Sequence, residues 1–145
     1  MTRTVSDLKT ISSSTLHSWL LQGKSKHGKF QVVDVRDSDY VGGHIRSSYN
    51  YPAANFHSTL LELQQRLYKQ QVSDVVFHCM LSQARGPKAA LMFLRAIDDI
   101  ADPAMKRYFM DHVHVYILKG GFSHWQGEYG SDPNVTEDYA ADIWS

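Results

Sequence analysis

The stretch that decides the fold runs from residue 75 to residue 87 and reads Val75-Val76-Phe77-His78-Cys79-Met80-Leu81-Ser82-Gln83-Ala84-Arg85-Gly86-Pro87. The apolar run before Cys79 predicts a buried strand, and the apolar spacing between residues 88 and 100 predicts a helix. Pro87 suits the first turn of that helix, where a missing N–H costs nothing. The sequence therefore predicts a strand, a loop and a helix, with the chain's one thiol at the base of the loop.

This order of elements is typical of an anion-binding loop with a nucleophile. Successive loop N–H groups and the positive end of the following helix favour negative charge. They stabilise a thiolate in the same place where they would hold a phosphate. We predict that Cys79 is the nucleophile and that Arg85 grips two oxygens of a tetrahedral oxyanion. The predicted binding loop consists of Met80, Leu81, Ser82, Gln83, Ala84 and Arg85. The alternative is a buried structural cysteine, because free cysteines are often buried.

Further along the chain, strands and helices alternate. Apolar runs predict strands at residues 30–35, 75–78 and 113–118. Helices are predicted from Ser13 or Ser14 to Leu20, over residues 59–70, from residue 88 onward, after Asp102-Pro103, and over residues 122–129. This alternation predicts an α/β protein with a parallel sheet.

The loop motif resembles the active-site loop of the cell-division-cycle dual-specificity phosphatases and of the fungal arsenate reductases, both of rhodanese-type fold. Two more segments support the resemblance. Residues 32–45, which read Val32-Val33-Asp34-Val35-Arg36-Asp37-Ser38-Asp39-Tyr40-Val41-Gly42-Gly43-His44-Ile45, resemble the first rhodanese signature. Residues 115–125, which read Val115-Tyr116-Ile117-Leu118-Lys119-Gly120-Gly121-Phe122-Ser123-His124-Trp125, resemble the second. The whole chain is similar to small stand-alone fungal phosphatases of this group.

The resemblance implies a single rhodanese-like domain over residues 1–145, with three layers in which helices flank a central parallel sheet. It also implies an activity, because loop length differs within the family. Sulfurtransferases typically have a six-residue loop, whereas the phosphatase and arsenate-reductase branch has seven residues from the cysteine to the arginine. Residues 79 to 85 make seven. We therefore expect a cysteine-dependent phosphatase of the protein-tyrosine or dual-specificity type, which hydrolyses phosphate monoesters through a phosphocysteine.

Four residues are candidates for supporting the site. Asp34 either acts as a catalytic carboxylate or, as the resemblance implies, is a buried scaffold residue bonded to backbone. Arg36 is expected to pair with a nearby carboxylate. His44 is a possible base or a structural hydrogen-bonding residue. His78 precedes the nucleophile, and on a strand its side chain points away from that of Cys79, so it is expected to support the loop.

Two loop positions raise questions about mechanism. Ser82 matches a serine of the dual-specificity pattern, and its hydroxyl either contacts the thiolate or only stabilises the loop. Met80 stands where the cell-cycle phosphatases carry a glutamate that is sometimes assigned as the general acid. A thioether donates no proton. The proton donor is then another residue, such as Asp37 or Asp39, or the substrate's own phosphate.

Composition limits the classes of partner. Fifteen basic residues balance fifteen acidic ones, which argues against a nucleic-acid or anionic-membrane binder. One cysteine excludes an internal disulfide and a thiol-rich zinc site, and we predict no metal and no cofactor. The amino terminus lacks the apolar core of a signal peptide. We expect a protein of the cytosol, with the nucleus as a second compartment. Its expected substrate is a phosphorylated protein or a small phosphate ester. The sequence is compatible with a homo-oligomer.

Three other functions fit parts of the sequence. Arsenate is nearly isosteric with phosphate, so the same loop suits an arsenate reductase; with one cysteine, that reaction needs glutathione or glutaredoxin as reductant. A non-catalytic module that binds phosphoproteins is a second alternative, although the cysteine and the arginine are both present. Sulfur transfer is the third, and loop length disfavours it.

Overall fold

A computed structural model describes residues 7–145. Its centre is a five-stranded sheet in the order β1-β6-β5-β2-β4, in which every neighbouring pair is parallel. The strands are β1 (Lys9–Ile11), β2 (Phe30–Asp34), β4 (Tyr49–Asn50), β5 (Asp74–His78) and β6 (His114–Leu118). A separate antiparallel pair joins β3 (His44–Ile45) to β7 (Thr136–Glu137).

Within residues 7–145, six α-helices surround the sheet. They are α1 (Ser13–Gln22), α2 (Phe56–Gln70), α3 (Arg85–Ala96), α4 (Pro103–His112), α5 (Gly121–Tyr129) and α6 (Ala141–Trp144). Short 3-10 turns precede α2 at Ala53–Asn55 and follow α3 at Ile97–Asp99. In the described part of the chain, no helix is long and apolar enough to cross a membrane.

The helices form one layer on each face of the sheet. On one face, α2, α3 and α4 pack Leu63, Phe93 and Phe109 against inward-facing strand residues such as Phe77. On the other, α1 and α5 pack residues that include Leu16 and Trp125. The central strands are apolar on both sides, as a parallel sheet covered on both faces requires. The predicted three-layer α/β architecture is confirmed.

The element boundaries differ from the predicted ones by a few residues. The N-cap of α1 is Ser12, whose hydroxyl accepts the Thr15 N–H, rather than Ser13 or Ser14. Helix α3 begins at Arg85, three residues before the predicted start, and α2 begins at Phe56 rather than at residue 59. The predicted cap at Asp102 is confirmed, since its carboxylate accepts the N–H groups of Ala104 and Met105.

Three connections leave the sheet at the carboxyl ends of β2, β5 and β6. They carry, in turn, the segment after Asp34, the loop after His78 and the Gly120-Gly121 turn. Because these strands are parallel neighbours, the three segments meet at one edge of the sheet, where α/β proteins place their sites. The sheet therefore brings the three sequence motifs together.

Candidate active site

The loop that begins at Cys79 surrounds the sulfur with backbone donors. Cys79 is only 3% exposed, and its Sγ accepts the N–H of Ser82 at 3.2 Å and the N–H of Gly86 at 3.3 Å. Ser82 turns the loop inward with a left-handed backbone at φ 56°. Gly86 lies in the first turn of α3. Both donors point at the sulfur, as they would in a loop that presents a cysteine nucleophile.

The start of α5 holds the other side of this loop. The N–H groups of Phe122 and Ser123 donate to the carbonyl oxygens of Cys79 and Met80 at 3.0 and 2.9 Å. Gly121 sits at the contact with φ +58°, and a Cβ there would lie 2.5 Å from the Met80 oxygen and 2.7 Å from the Cys79 oxygen. The second glycine of the Gly120-Gly121 pair is therefore needed because the loop passes directly over it.

Two cavities open at this edge. The smaller, about 180 Å³, is the loop itself and is lined by Cys79, Met80, Leu81, Gln83, Ala84 and Arg85. The larger, about 420 Å³, is a groove between α2 and α3 whose lining includes Asp37, Phe56, His57, Arg85 and Lys88. Arg85 lines both and so stands between them. A small cavity at the thiol beside a larger groove suits a tetrahedral group that carries an organic substituent.

The Arg85 guanidinium is held by two carboxylates from the segment after β2. Its Nη1 and Nη2 donate to Asp39 Oδ1 and Oδ2 at 2.8 and 2.6 Å. Nη1 also donates to Asp37 Oδ2 at 3.2 Å. The hydrogen bond from Arg85 lowers the pKa of Asp39 to about 2, and the same bond raises the pKa of Arg85. At neutral pH Asp39 is therefore a carboxylate with no proton to donate.

Asp34 and Arg36 form a second, fully buried ion pair; both side chains are 0% exposed. Arg36 donates from Nε and Nη2 to the Asp34 carboxylate and from Nη2 to the Gly43 carbonyl at 2.8 Å. Its guanidinium lies over the Phe122 ring, 4.2 Å from the centroid. This arrangement is the one expected for a scaffold aspartate and its partner, and it fixes the turn that leads to Asp37 and Asp39.

The two histidines lie in different places. His78 is buried, and its Nδ1 lies 3.0 Å from the Cys79 carbonyl oxygen, so it contacts the backbone of the nucleophile rather than the thiol. His44 lies instead on β3, with Nε2 3.2 Å from Glu137 and its ring stacked on Tyr40. No described contact joins His44 to residues 79–85. The structure therefore places His78 against the loop backbone, with Asp34 Oδ2 3.7 Å from His78 Nε2. It leaves His44 at the small antiparallel sheet.

The loop side chains show which atoms act on the sulfur. Ser82 reaches it through its backbone N–H, whereas its Oγ is buried without a hydrogen-bond partner among the described residues. Met80 offers a carbonyl to Ser123 and no acidic group. In residues 7–145, no group of three histidine, cysteine or carboxylate side chains is arranged to hold a metal ion.

Sequence reasoning missed two contributors, the α5 N-terminus and the Asp39–Arg85 pair. The Gly120-Gly121 pair signalled a sharp turn but not the carbonyls that it supports. The sequence left the proton donor open between a residue such as Asp37 or Asp39 and the substrate's phosphate, and the structure places both aspartates on the Arg85 guanidinium. The partners are 46 and 48 residues apart in the chain, which no local pattern reports.

Comparison with known proteins agrees with this geometry. The family model for the rhodanese-like domain matches residues 16–128. The Saccharomyces cerevisiae protein named CDC25-like phosphatase YCH1 is 38% identical over 150 residues, which cover 97% of this chain and 96% of the yeast protein. The rice protein named arsenate reductase 2.2 is 32% identical over 99 residues, which cover 68% of this chain and 70% of the rice protein.

A solved structure is similar over the whole length. The crystal structure of Saccharomyces cerevisiae Ygr203w, described as a homolog of single-domain rhodanese and of the Cdc25 phosphatase catalytic domain, matches with a TM-score of 0.87 at 38% identity. That match covers 100% of this chain and 97% of the yeast chain. These matches confirm the family resemblance and the fold that the three motifs indicate.

Proposed function

The chain belongs to the rhodanese-like domain family, in its Cdc25-type phosphatase branch, and from this premise we propose that it hydrolyses phosphate monoesters through a covalent phosphocysteine. One observation carries the proposal: two backbone N–H groups converge on Cys79 Sγ at the base of a cavity of about 180 Å³ that Arg85 lines. A cavity of that size suits one tetrahedral group, and the groove beside it has room for the rest of the substrate.

In the proposed reaction, Cys79 Sγ attacks phosphorus in line with the leaving oxygen. The S–P bond forms as the P–O ester bond breaks, and the departing oxygen takes a proton to become an alcohol. Loop N–H groups and the Arg85 guanidinium hold the equatorial oxygens, over which the transition-state charge is spread. Water then attacks the phosphocysteine, which releases inorganic phosphate and regenerates the thiolate.

The proton for the leaving group comes, in this proposal, from the substrate phosphate itself. Met80 has none to give, and Asp39 is ionised by its bond to Arg85. The monoanion of the ester is then the better substrate. We expect kcat/KM for an alkyl phosphate to fall as pH rises through about 6, the second ionisation of a phosphate monoester. A rate that stays level to pH 8 would assign the proton to a group of the protein.

The experiment that tests the proposal uses Cys79→Ser. The variant keeps the loop N–H groups, so it should still bind inorganic phosphate while turnover of an aryl phosphate disappears. Retention of more than about a hundredth of the wild-type rate would exclude covalent catalysis, because losing a nucleophile normally costs far more. Phosphate binding by calorimetry serves as the control for folding of the variant.

Arsenate reduction is the second candidate, and the similarity to the rice arsenate reductase favours it. The same cavity accepts arsenate; Cys79 Sγ attacks arsenic, and the S–As bond forms as an As–O bond breaks and that oxygen leaves as water. Reduction to arsenite requires two electrons, which come from two external thiols because the chain has one cysteine. We expect any arsenate turnover to depend on added glutathione or glutaredoxin, whereas phosphate-ester hydrolysis needs neither. Turnover of arsenate without hydrolysis of aryl phosphates would replace the first proposal by this one.

A further inference from the structure

We propose that Asp39, assisted by Asp37, is a positioning residue that aligns Arg85 so that one edge of its guanidinium faces the oxyanion. The proposal concerns the site of the proposed phosphatase reaction and rests on that function. It assigns the two carboxylates to Arg85, with no proton-transfer role.

The argument begins with the donors of the guanidinium. An arginine carries five N–H donors in a fixed plane, and they form two forks. The Asp39 carboxylate accepts one hydrogen bond from Nη1 and one from Nη2, both at 2.8 Å or less. Asp37 takes the other hydrogen of Nη1 at 3.2 Å. The remaining donors, on Nε and on the outer side of Nη2, have no hydrogen-bond partner among the described residues. These two donors are adjacent and parallel, and they match two oxygens of a tetrahedral oxyanion.

The carboxylates are themselves fixed. Asp39 Oδ1 accepts the Asp37 N–H at 2.9 Å, and Asp37 Oδ1 accepts the Ala54 N–H at 2.9 Å. Further N–H groups close the turn onto the backbone carbonyls of both aspartates. A guanidinium held by such partners loses little freedom when the oxyanion binds, so the cost of ordering a long side chain is met in advance.

The residues that line the two cavities agree with an Arg85 whose free donors face the loop cavity. Arg85 lines both the loop cavity and the groove, whereas Asp37 lines the groove only. Neither carboxylate lines the cavity that contains Cys79. Asp37 therefore holds the guanidinium from the groove side, and neither aspartate lines the loop cavity.

Net charge alone predicts the opposite effect. Two carboxylates and one guanidinium sum to −1, so removing Asp39 should strengthen the binding of an anion if only charge mattered. If alignment of the two free N–H donors matters more, removing Asp39 should weaken anion binding. The sign of the effect therefore decides between an aligned arginine and a competing carboxylate.

The test is Asp39→Asn, which keeps an oxygen for the Asp37 N–H but removes the charge. Asp111→Asn, on the exposed surface of α4, is the matched control for charge. We measure protection of Cys79 from alkylation by inorganic phosphate, and kcat/KM for an aryl phosphate. Asp39→Asn should weaken phosphate protection and lower kcat/KM by roughly tenfold, while Asp111→Asn should change neither.

A double-mutant cycle separates alignment from general structural support. In an Arg85→Lys background, Asp39→Asn should change kcat/KM by less than about twofold, because the residue acts through Arg85. Stronger phosphate protection in the single variant, or a full tenfold loss that persists in the Arg85→Lys background, would overturn the proposal. A wild-type protein that turns over no phosphate ester but shows Asp39-dependent phosphate protection would refute only the proposed function.

Discussion

Two arginine–aspartate pairs lie at the same edge of the sheet. They differ in how many of the arginine's guanidinium nitrogens have hydrogen-bond partners within the protein. Arg36 is fully buried, and each of its three guanidinium nitrogens bonds to the Asp34 carboxylate or to a backbone carbonyl. Arg85 is 33% exposed in its side chain and commits Nη1 and Nη2 to aspartates, while Nε has no described partner.

The comparison separates scaffolding from function on physical grounds. A buried arginine must satisfy every donor inside the protein, because an unpaired buried N–H is costly. An arginine that keeps a free fork beside a cavity can only be satisfied by water or by a ligand. Removing Arg36 should therefore affect folding, and removing Arg85 should affect binding and catalysis.

The largest expected effect comes from Arg36→Met. The change leaves the Asp34 carboxylate buried without its partner, so we expect a loss of about 3–5 kcal/mol in the free energy of unfolding. Urea denaturation followed by circular dichroism measures it. The exposed Arg107→Met on α4 is the control and should stay within about 0.5 kcal/mol of wild type. Equal stability of the two variants would remove the structural role assigned to Arg36.

The second effect is on activity rather than stability. Arg85→Lys keeps the charge but loses the planar fork, so we expect phosphatase kcat/KM to fall about a hundredfold or more. The free energy of unfolding should change by less than about 1 kcal/mol, because the pair with Asp39 is partly exposed. Steady-state kinetics and denaturation of the same preparation provide both values. An intact rate in this variant would mean that the loop does not use Arg85 as an oxyanion clamp.

The third prediction concerns the contact between the start of α5 and the carbonyl oxygens of the loop. Gly121→Ala places a Cβ against the Met80 and Cys79 carbonyls in a left-handed backbone, which should cost about 1–3 kcal/mol and reduce activity. Gly127→Ala lies in the same helix with nothing within 4 Å of the new Cβ. This control should be neutral or stabilising by up to about 1 kcal/mol. Equal unfolding free energies and equal activities for the two variants would show that the contact between α5 and the loop does not stabilise the protein.

The smallest expected effect is the pH dependence of the stability that the partly exposed Asp39–Arg85 ion pair contributes. Asp39 has a folded-state pKa of about 2, below its ordinary value of 3.8, so its contribution is complete above pH 4 and disappears as pH falls through about 2. The difference in unfolding free energy between wild type and Asp39→Asn should be at most about 1 kcal/mol at pH 5 and should shrink towards pH 2. A difference that grows with acidity would contradict the assigned ion pair.

Local patterns were enough to predict the layout of the site. Apolar runs, the Asp102-Pro103 cap and the order of strands and helices predicted the layered sheet, because each depends on neighbouring residues. The position of Cys79 after the β5 strand also followed from the sequence. The scaffold interpretation of Asp34 came from the family resemblance, and the buried pair with Arg36 agrees with it.

Contacts between distant segments were beyond such patterns. The Asp39–Arg85 pair and the α5 N–H groups on the loop carbonyls join residues that only the sheet brings together. The buried Asp74 at the opposite end of β5 is another example, since it accepts hydrogen bonds from Ser25, His27 and Tyr116, residues 42–49 positions away. The sequence marks these residues as polar, and the fold alone decides which of them meet.

The most direct test of the central claim uses the fact that the chain has one cysteine. Intact-mass spectrometry after iodoacetamide treatment then reports on Cys79 alone, with and without inorganic phosphate. We predict rapid alkylation near about pH 7, slowed by phosphate in wild type and less so in Arg85→Lys. A thiol whose alkylation phosphate leaves unchanged in both proteins would show that Cys79 is structural and that the loop is not an oxyanion site.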